Sequence, residues 1–188
     1  MEPFKNRGTR RSTRLPEFDY SRVGMYFVTI CAEQRRCIFG QSHGSEIVQS
    51  RIGEIVRACW IEIPEHFPNV KVESYVVMPN HLHGILTIDT KLPDANLRDK
   101  PPLTSELFGR PVPKSIPTII RSFKSAASKR ARESGLMTAG SIWQRGYFER
   151  VLRNTREYVE VTNYILQNPV RWADDEENPA RKLGPADL

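Results

Sequence analysis

The stretch Tyr75-Val76-Val77-Met78-Pro79-Asn80-His81-Leu82-His83-Gly84-Ile85-Leu86 holds two of the chain's four histidines, with one leucine between them. Apolar and β-branched residues surround the pair and predict two strands joined by a turn at Pro79-Asn80. Side chains at positions i and i+2 of a strand point to the same face. His81 and His83 can therefore present two imidazoles to one metal ion, and Gly84 leaves room for a ligand or another backbone. Two ordinary hydrogen-bonded histidines are the alternative.

The sequence on both sides of this stretch predicts an α+β fold. Apolar positions indicate strands where they form short β-branched runs, and helices where they recur every three or four residues. The predicted strands are 26–31, 38–39, 70–78, 81–88 and 142–152, and the predicted helices are 45–64, 118–132 and 154–168. This order is compatible with a ferredoxin-like antiparallel sheet that carries helices packed on one face.

The composition is that of a soluble globular protein with surplus positive charge. The chain has 188 residues, a net charge of +6 and an isoelectric point of about 9.4. No apolar run is long enough to span a membrane, and the polar, basic N-terminus lacks the apolar stretch of a secretory signal. The three cysteines are odd in number and not closely paired, which favours reduced thiols in a cytosolic protein.

Two basic segments are predicted to meet a polyanion such as nucleic acid. The first is an N-terminal arm, residues 1–20, which has no apolar periodicity. Its arginines are Arg7, Arg10, Arg11 and Arg14. The second is the polar face of the helix at 118–132. Its basic residues are Arg121, Lys124, Lys129 and Arg132. A solvated tail and a solvated helix face are the alternatives for these two segments.

The last predicted helix carries a tyrosine and an asparagine on one face. Tyr164 and Asn168 are four residues apart, so they stack on the helix surface. They flank the apolar stripe of the helix and can reach into a neighbouring site. The stripe consists of Tyr158, Val161, Thr162 and Ile165. The alternative for Tyr164 is a tyrosine at the boundary of helix and sheet, with its hydroxyl hydrogen-bonded.

Three blocks together resemble a known family. His81-Leu82-His83, after Val77-Met78-Pro79-Asn80, looks like the histidine–hydrophobic–histidine (HUH) motif of single-tyrosine transposases. The blocks Trp143-Gln144-Arg145-Gly146-Tyr147-Phe148-Glu149-Arg150 and Tyr164-Ile165-Leu166-Gln167-Asn168-Pro169-Val170-Arg171-Trp172 resemble the later signatures. The chain is most similar to the REP-associated tyrosine transposases, relatives of the insertion-sequence-200-like enzymes, from about residue 10 to 179.

The resemblance implies a ferredoxin-like fold and a divalent metal, Mg²⁺ or Mn²⁺. Carried over by position, His81, His83 and Asn168 are metal ligands and Tyr164 is the nucleophile. A phenol ordinarily has a pKa near 10, so Tyr164 needs a polarised target. Its attack on a phosphodiester leaves a 5′-phosphotyrosine, which a second 3′-hydroxyl can reverse to join strands. The expected activity is that of a single-stranded DNA endonuclease and strand transferase, a transposase.

The same resemblance implies a partner and a domain division. The partner is single-stranded DNA with hairpins or palindromic repeats, and a monomer in the bacterial cytoplasm, at the nucleoid, is expected. The arm at 1–20 precedes a catalytic domain at 21–172, and 173–188 form a tail. A proline-rich connection at about 91–117 is expected to be mobile.

Two other functions use the same residues differently. A non-catalytic nucleic-acid-binding module would use the basic surfaces and leave His81, His83 and Tyr164 idle. A metal-dependent hydrolase would activate a bound water, with His66 as the third ligand, and would form no covalent adduct with DNA. His66 is otherwise simply a residue at a corner between a helix and a strand.

Overall fold

The computed structural model describes residues 19–89, 112–175 and 177–182. Its strands are β1 (Gly24–Cys31), β2 (Gly40–His43), β3 (Glu46–Gln49), β4 (Val70–Val77), β5 (His81–Ile88) and β6 (Phe148–Leu152). Its helices are α1 (Arg51–Ile61), α2 (Ile63–His66), α3 (Ile116–Glu133), α4 (Thr155–Gln167) and α5 (Pro179–Lys182). Single 3₁₀ turns lie at Glu33–Arg35 and Trp172–Asp174.

Four strands form one antiparallel sheet in the order β4-β5-β1-β6. The two central strands are β5, which carries both histidines of the motif, and β1. Helix α1 lies in the connection from β1 to β4, and α3 lies in the connection from β5 to β6. This arrangement is the ferredoxin-like order, so the predicted fold class is confirmed. The remaining strands, β2 and β3, form a separate two-stranded hairpin.

The helices cover both faces of the sheet. Helices α1 and α3 pack together on one face, where Trp60, Leu82 and Phe123 belong to the main core cluster. Helix α4 packs on the other face, where its Ile165 is buried with Ile85 of β5. Leu82 and Ile85 point to opposite faces because side chains alternate along a strand. The odd-numbered positions of β5 therefore lie on the side of α4.

Gly84 makes room for the indole of Trp60 on the side of the sheet that α1 covers. A Cβ atom added at Gly84 would lie 2.4 Å from Cζ2 of Trp60, which is fully buried. Any larger side chain would displace this indole from a closely packed core. The expectation that Gly84 leaves room for a ligand or another backbone is therefore wrong, because core packing fills the space.

The early strand and the first helix differ from their predicted bounds. Residues 46–49 form β3 rather than the first turn of a helix, and Gly44 makes the hairpin turn with φ +65°. Helix α1 begins only after Ser50, whose hydroxyl accepts a hydrogen bond from the Gly53 N–H. Phe39, predicted as strand, precedes β2, and its buried ring packs on Trp143. Local capping and turn chemistry therefore override the apolar spacing.

The strand predicted at 142–152 is limited to Phe148–Leu152. Ile142 and Trp143 are buried in the core with α3, and the Trp143 indole N–H donates to the carbonyl of Lys124. Gly146 has φ +80°, which breaks the extended conformation just before β6 begins. Ile142 and Trp143 thus belong to a loop that packs on α3, and they are not part of a strand.

The ends of the predicted domain can be compared only in part. Residues 1–18 of the arm and 90–111 of the connection lie outside the described residues. Helix α3 begins at Ile116, so the connection ends before 117. The chain after residue 172, expected as a tail, folds back through Asp175 and Asn178 to α5. In the part of the chain that the structure describes, the helices are too short or too polar to cross a membrane.

Candidate active site

His81 and His83 lie side by side on β5, with ring centroids 4.4 Å apart. Their exposed fractions are 0% and 3%. They share the face covered by α4, as the i, i+2 spacing predicts. Burial lowers the pKa of His81 to about 3 and holds the pKa of His83 well below its ordinary value. Both imidazoles are therefore neutral at pH 7, the form that binds a metal.

Asn80 determines which nitrogen of His81 faces the site. The Asn80 amide donates both hydrogens, to the carbonyl of Arg35 at 3.0 Å and to that of Glu177 at 2.7 Å. The remaining Asn80 Oδ1 can only accept, and it lies 2.9 Å from His81 Nδ1, so this nitrogen carries the hydrogen. His81 Nε2 keeps its lone pair. This atom is buried and has no hydrogen-bond partner among the residues that the structure describes.

His83 is held at both ring nitrogens. Its Nδ1 lies 2.8 Å from Thr29 Oγ1, and its Nε2 lies 3.1 Å from the hydroxyl oxygen of Tyr164. The ring of Phe27 stacks on the imidazole with a centroid distance of 5.4 Å. These contacts fix the plane of the ring and direct Nε2 towards Tyr164 of α4.

Tyr164 is the tyrosine of α4 that meets the histidine pair. Its side chain is 44% exposed, and its ring lies 5.1 Å from that of His83. The neighbouring Tyr158 packs against the small cluster under α4. Tyr147 donates its hydroxyl to Glu149 Oε2 at 2.6 Å and packs on the main core instead. Of these three tyrosines, Tyr164 alone combines an exposed side chain with a contact to the motif.

Asn168 brings a second polar group from α4 to the histidines. It caps the C-terminal end of α4 and is 3% exposed. Its amide interacts with both His81 and Asp175. Burial has the larger effect on both groups, lowering the pKa of the imidazole and raising the pKa of the carboxyl, and Asn168 opposes burial in each case. Its Oδ1 atom is buried and makes no hydrogen bond to any residue in 19–89, 112–175 or 177–182.

Asp175 is the residue of this site that sequence reasoning missed. One carboxylate oxygen, Oδ2, lies 4.0 Å from His81 Nε2, and the other accepts a hydrogen bond from the Glu177 N–H. Possible ligand atoms of His81, His83 and Asp175 all lie within 4.8 Å of one another. The nearby indole of Trp172 is buried and anchors the returning chain beside His81, at 6.0 Å between ring centroids. The acidic run directly after Trp172 was the available signal.

The site opens into a hollow of about 800 Å³ on the surface. Tyr164 and His83 lie in its wall. The other lining residues are Phe27, Thr29, Phe148, Asn168, Arg171, Asp174, Asp175, Glu177 and Arg181. The hollow is therefore accessible to a large ligand and contains both cationic and anionic groups.

The chain has relatives in Haemophilus influenzae. One, named only as an uncharacterized protein, is 34% identical over 172 residues, which are 89% of this chain and 92% of the relative. A second, provisionally named a REP-associated tyrosine transposase, is 26% identical over 153 residues, which are 81% of this chain and 74% of the relative. A solved structure of a REP-associated tyrosine transposase bound to a REP hairpin has a TM-score of 0.55 and 19% identity, and the match covers 95% of this chain and 90% of that one. The chain therefore has the fold of the solved REP-associated tyrosine transposase and is similar in sequence to the relative that carries this provisional name. No protein-family model matches it.

The candidate site fits a divalent metal. Two buried acceptor atoms, His81 Nε2 and Asn168 Oδ1, lack partners within the described part of the chain, an unfavourable state that a metal would relieve. With His83 and the Asp175 carboxylate, the donor set is two imidazoles and two oxygens. Carboxylate and carbonyl oxygens suit Mg²⁺ or Mn²⁺, and imidazole also accepts softer ions. Asn80 and Thr29 would support the histidines from behind.

His66 does not join this site. It is exposed at the end of α2 and lies near Glu62, whose pKa it lowers together with the larger effect of Arg130. Among the described residues, the third possible metal ligand beside His81 and His83 is Asp175. The hydrolase alternative had predicted His66 in this role.

The basic face of α3 lies away from the hollow. Arg121, Lys129 and Arg132 are exposed on this helix, which covers the sheet face opposite to Tyr164. They can contact DNA only on that side of the molecule or around an edge of the sheet. The four arginines of the arm lie outside the described residues.

Lys124 differs from the other basic residues of α3. Its Nζ atom donates hydrogen bonds to the carbonyl of Gln144, at 3.0 Å, and to that of Gly146. Burial lowers the pKa of Lys124 to about 8. Its ammonium group also lies 5.9 Å above the ring of Trp143. Lys124 thus holds the segment before β6, and its contact with phosphate stays a prediction.

Proposed function

We propose that this protein cleaves and rejoins single-stranded DNA near hairpins through a 5′-phosphotyrosine formed at Tyr164. The observation that carries the proposal is the 3.1 Å contact between the Tyr164 hydroxyl and His83 Nε2 at the wall of an open hollow. A tyrosine with a structural role alone would not need an exposed side chain whose hydroxyl meets one of two buried, neutral histidines. Perturbed and unpaired polar groups in a cleft are typical of functional sites.

The residues divide the chemistry among them. His81, His83, Asn168 and Asp175 would hold the metal, Mg²⁺ or Mn²⁺, which supplies Lewis-acid polarisation of the phosphate when bound. Tyr164 would attack phosphorus, forming a bond from its phenolic oxygen while the bond to the 3′-oxygen breaks. The phenol loses a proton and the 3′-oxygen gains one. A second 3′-hydroxyl can reverse the step and join strands, because the phosphodiester is conserved in the covalent link.

The proposed partner is single-stranded DNA with a hairpin or palindromic repeats. The solved relative with this fold is bound to a REP hairpin, which supports the choice. The net charge of +6 favours any polyanion. We propose that a monomer does this work, since every residue of the candidate site comes from one chain.

A covalent-adduct assay tests the function. The full chain is incubated with Mn²⁺ and a pool of end-labelled oligonucleotides that share a hairpin and have randomised single-stranded flanks. We expect a labelled band that migrates with the protein on a denaturing gel, and a released strand with a free 3′-hydroxyl. Binding without cleavage would favour a non-catalytic module. Cleavage without an adduct would favour a hydrolase that activates water.

A further inference from the structure

Phe148 is a large apolar side chain exposed beside the nucleophile. It is the first residue of the edge strand β6, and 46% of its surface is accessible. It pairs with Thr29 of β1, which in turn pairs with His83 of β5. Phe148, Thr29 and His83 thus lie side by side on neighbouring strands, on the sheet face that α4 covers. Phe148 is at the sheet edge and His83 is in the candidate metal site.

Aromatic contacts through Phe27 connect the ring of Phe148 with Tyr164. It meets Phe27 edge-on at a centroid distance of 6.3 Å, and Phe27 meets Tyr164 in the same way at 6.2 Å. Phe27 thus links Phe148 to the proposed nucleophile, while nearly half of the Phe148 surface stays accessible to a planar ligand.

Phe148 also lies where two surface hollows meet. It lines the hollow of about 800 Å³ that contains Tyr164, and it lines a second one of about 250 Å³ along β6. The first hollow holds Arg171 and Arg181 together with three acidic residues, and the second holds Arg150 and Arg153 together with Glu149 and Glu157. A strand of DNA that passes from one hollow to the other would meet the aromatic ring of Phe148 between them.

Single exposed apolar residues are common and carry no meaning alone. Here the exposed ring lines the same hollow as the proposed nucleophile, and both hollows that it lines contain arginines, which matches the ligand chemistry of a single strand. Proteins hold such strands by cationic contacts to phosphates and by stacking bases on aromatic side chains.

On the basis of the proposed function, we propose that Phe148 stacks on the nucleobase adjacent to the phosphate that Tyr164 attacks. Stacking tolerates any base, because every base has a π face. The contact would hold the neighbouring phosphate in line with the tyrosine, so it would contribute more to the rate of adduct formation than to overall affinity.

An abasic scan tests this inference. The oligonucleotide recovered from the covalent adduct is remade with one abasic site at a time on either side of the cleaved phosphate. Single-turnover rates of adduct formation are then measured for the wild type, Phe148→Ala, Phe148→Leu and Phe148→Trp. Phe148→Leu keeps apolar packing on Phe27 but lacks a π face, and thermal unfolding of each variant checks the fold.

We expect Phe148→Ala and Phe148→Leu to slow adduct formation by on the order of tenfold, and Phe148→Trp to retain the rate. With the wild type, one abasic position should slow adduct formation by a similar factor. With Phe148→Ala, the same abasic position should cause no further slowing relative to the intact oligonucleotide. If the Phe148 substitutions and the abasic sites slow adduct formation independently at every position, or if Phe148→Leu reacts at the normal rate, the stacking inference is overturned. Neither result would contradict the proposed nuclease activity. A wild type that forms no adduct with any pool would overturn the proposed function and this inference together.

Discussion

The hydroxyl oxygen of Tyr164 lies 3.1 Å from Nε2 of His83, although the two residues are 81 positions apart in the sequence. The contact forms because α4 crosses the sheet face to which the alternate residues of β5 point. Phe27 holds both rings, stacked on the imidazole and edge-on to the phenol. The proposed nucleophile and the proposed metal ligand are thus parts of one packed unit.

Asp175 should contribute to metal affinity. Its carboxylate lies near His81 and completes a set of two nitrogen and two oxygen donors with Asn168. Asp175→Asn removes the negative charge and should weaken Mn²⁺ binding at least tenfold, measured by isothermal titration calorimetry at pH 7. The matched control, Asp174→Asn, changes an exposed neighbour in the same hollow. Equal losses from both variants would mean that Asp175 acts only through general charge.

Asn80 should act through His81. Its amide fixes the His81 tautomer, and loss of such a supporting contact typically weakens a metal site 10- to 100-fold. Asn80→Ala should therefore lower Mn²⁺ affinity by about that factor. Since Asn80 also holds two backbone carbonyls, thermal unfolding of the metal-free variant separates this effect from misfolding. An unchanged affinity in a folded variant would remove Asn80 from the site.

The metal-free protein should lose stability as the pH falls below about 7. Unfolded histidines bind protons near pH 6.5, whereas burial lowers the folded pKa of His81 to about 3 and lowers that of His83. The unfolded state thus binds more protons in this window, and the free energy of unfolding falls by up to about 1.4 kcal/mol per pH unit for each histidine.

Urea unfolding in EDTA at pH 7, 6 and 5 measures this dependence. Burial raises the pKa of Asp175, which works in the opposite direction at the acidic end and reduces the slope there. The double substitution His81→Gln and His83→Gln should flatten the profile. The same change at the exposed His43 and His66 is the matched control. A profile that stays steep without the buried pair would show that other groups cause it.

The N-terminal arm should contribute to DNA affinity. Removing residues 1–14 eliminates Arg7, Arg10, Arg11 and Arg14. The slope of log affinity against log salt should then decrease in magnitude by up to about 3, because each phosphate contact on single strands accounts for about 0.7. Fluorescence anisotropy with a labelled hairpin oligonucleotide measures the slope. Arg121→Ala on α3 serves as the single-charge comparison, and an unchanged slope after truncation would mean that the arm is only a tail.

The fold and every residue of the candidate site except Asp175 could be predicted from the sequence, for a clear physical reason. Periodicity and the i, i+2 rule are local, so β5, α4 and the shared face of His81 and His83 could be predicted. The position of Asp175 depends on how the chain returns after α4 and on the packing of Trp172, which no local pattern encodes. Gly84 was misinterpreted in the same way, since the indole that needs its space comes from α1.

The second class of error arose where local chemistry opposed apolar spacing. The residues at 46–49 fit a helical pattern, yet Ser50 starts the helix after them by accepting a hydrogen bond from Gly53. Lys124 lies on a basic helix face, yet carbonyl groups of the loop before β6 bind it. Such contacts are visible only once the partner segment is in place.

The site of covalent attachment tests the central claim most directly. The adduct formed with Mn²⁺ and the hairpin pool is digested with trypsin, and residues 157–171, which contain both Tyr158 and Tyr164, are sequenced by tandem mass spectrometry. We expect the nucleotide on Tyr164. Tyr164→Phe should bind the hairpin normally and form no adduct, while Tyr158→Phe should form it. A nucleotide attached to Tyr158, or a normal amount of adduct from Tyr164→Phe, would contradict the account.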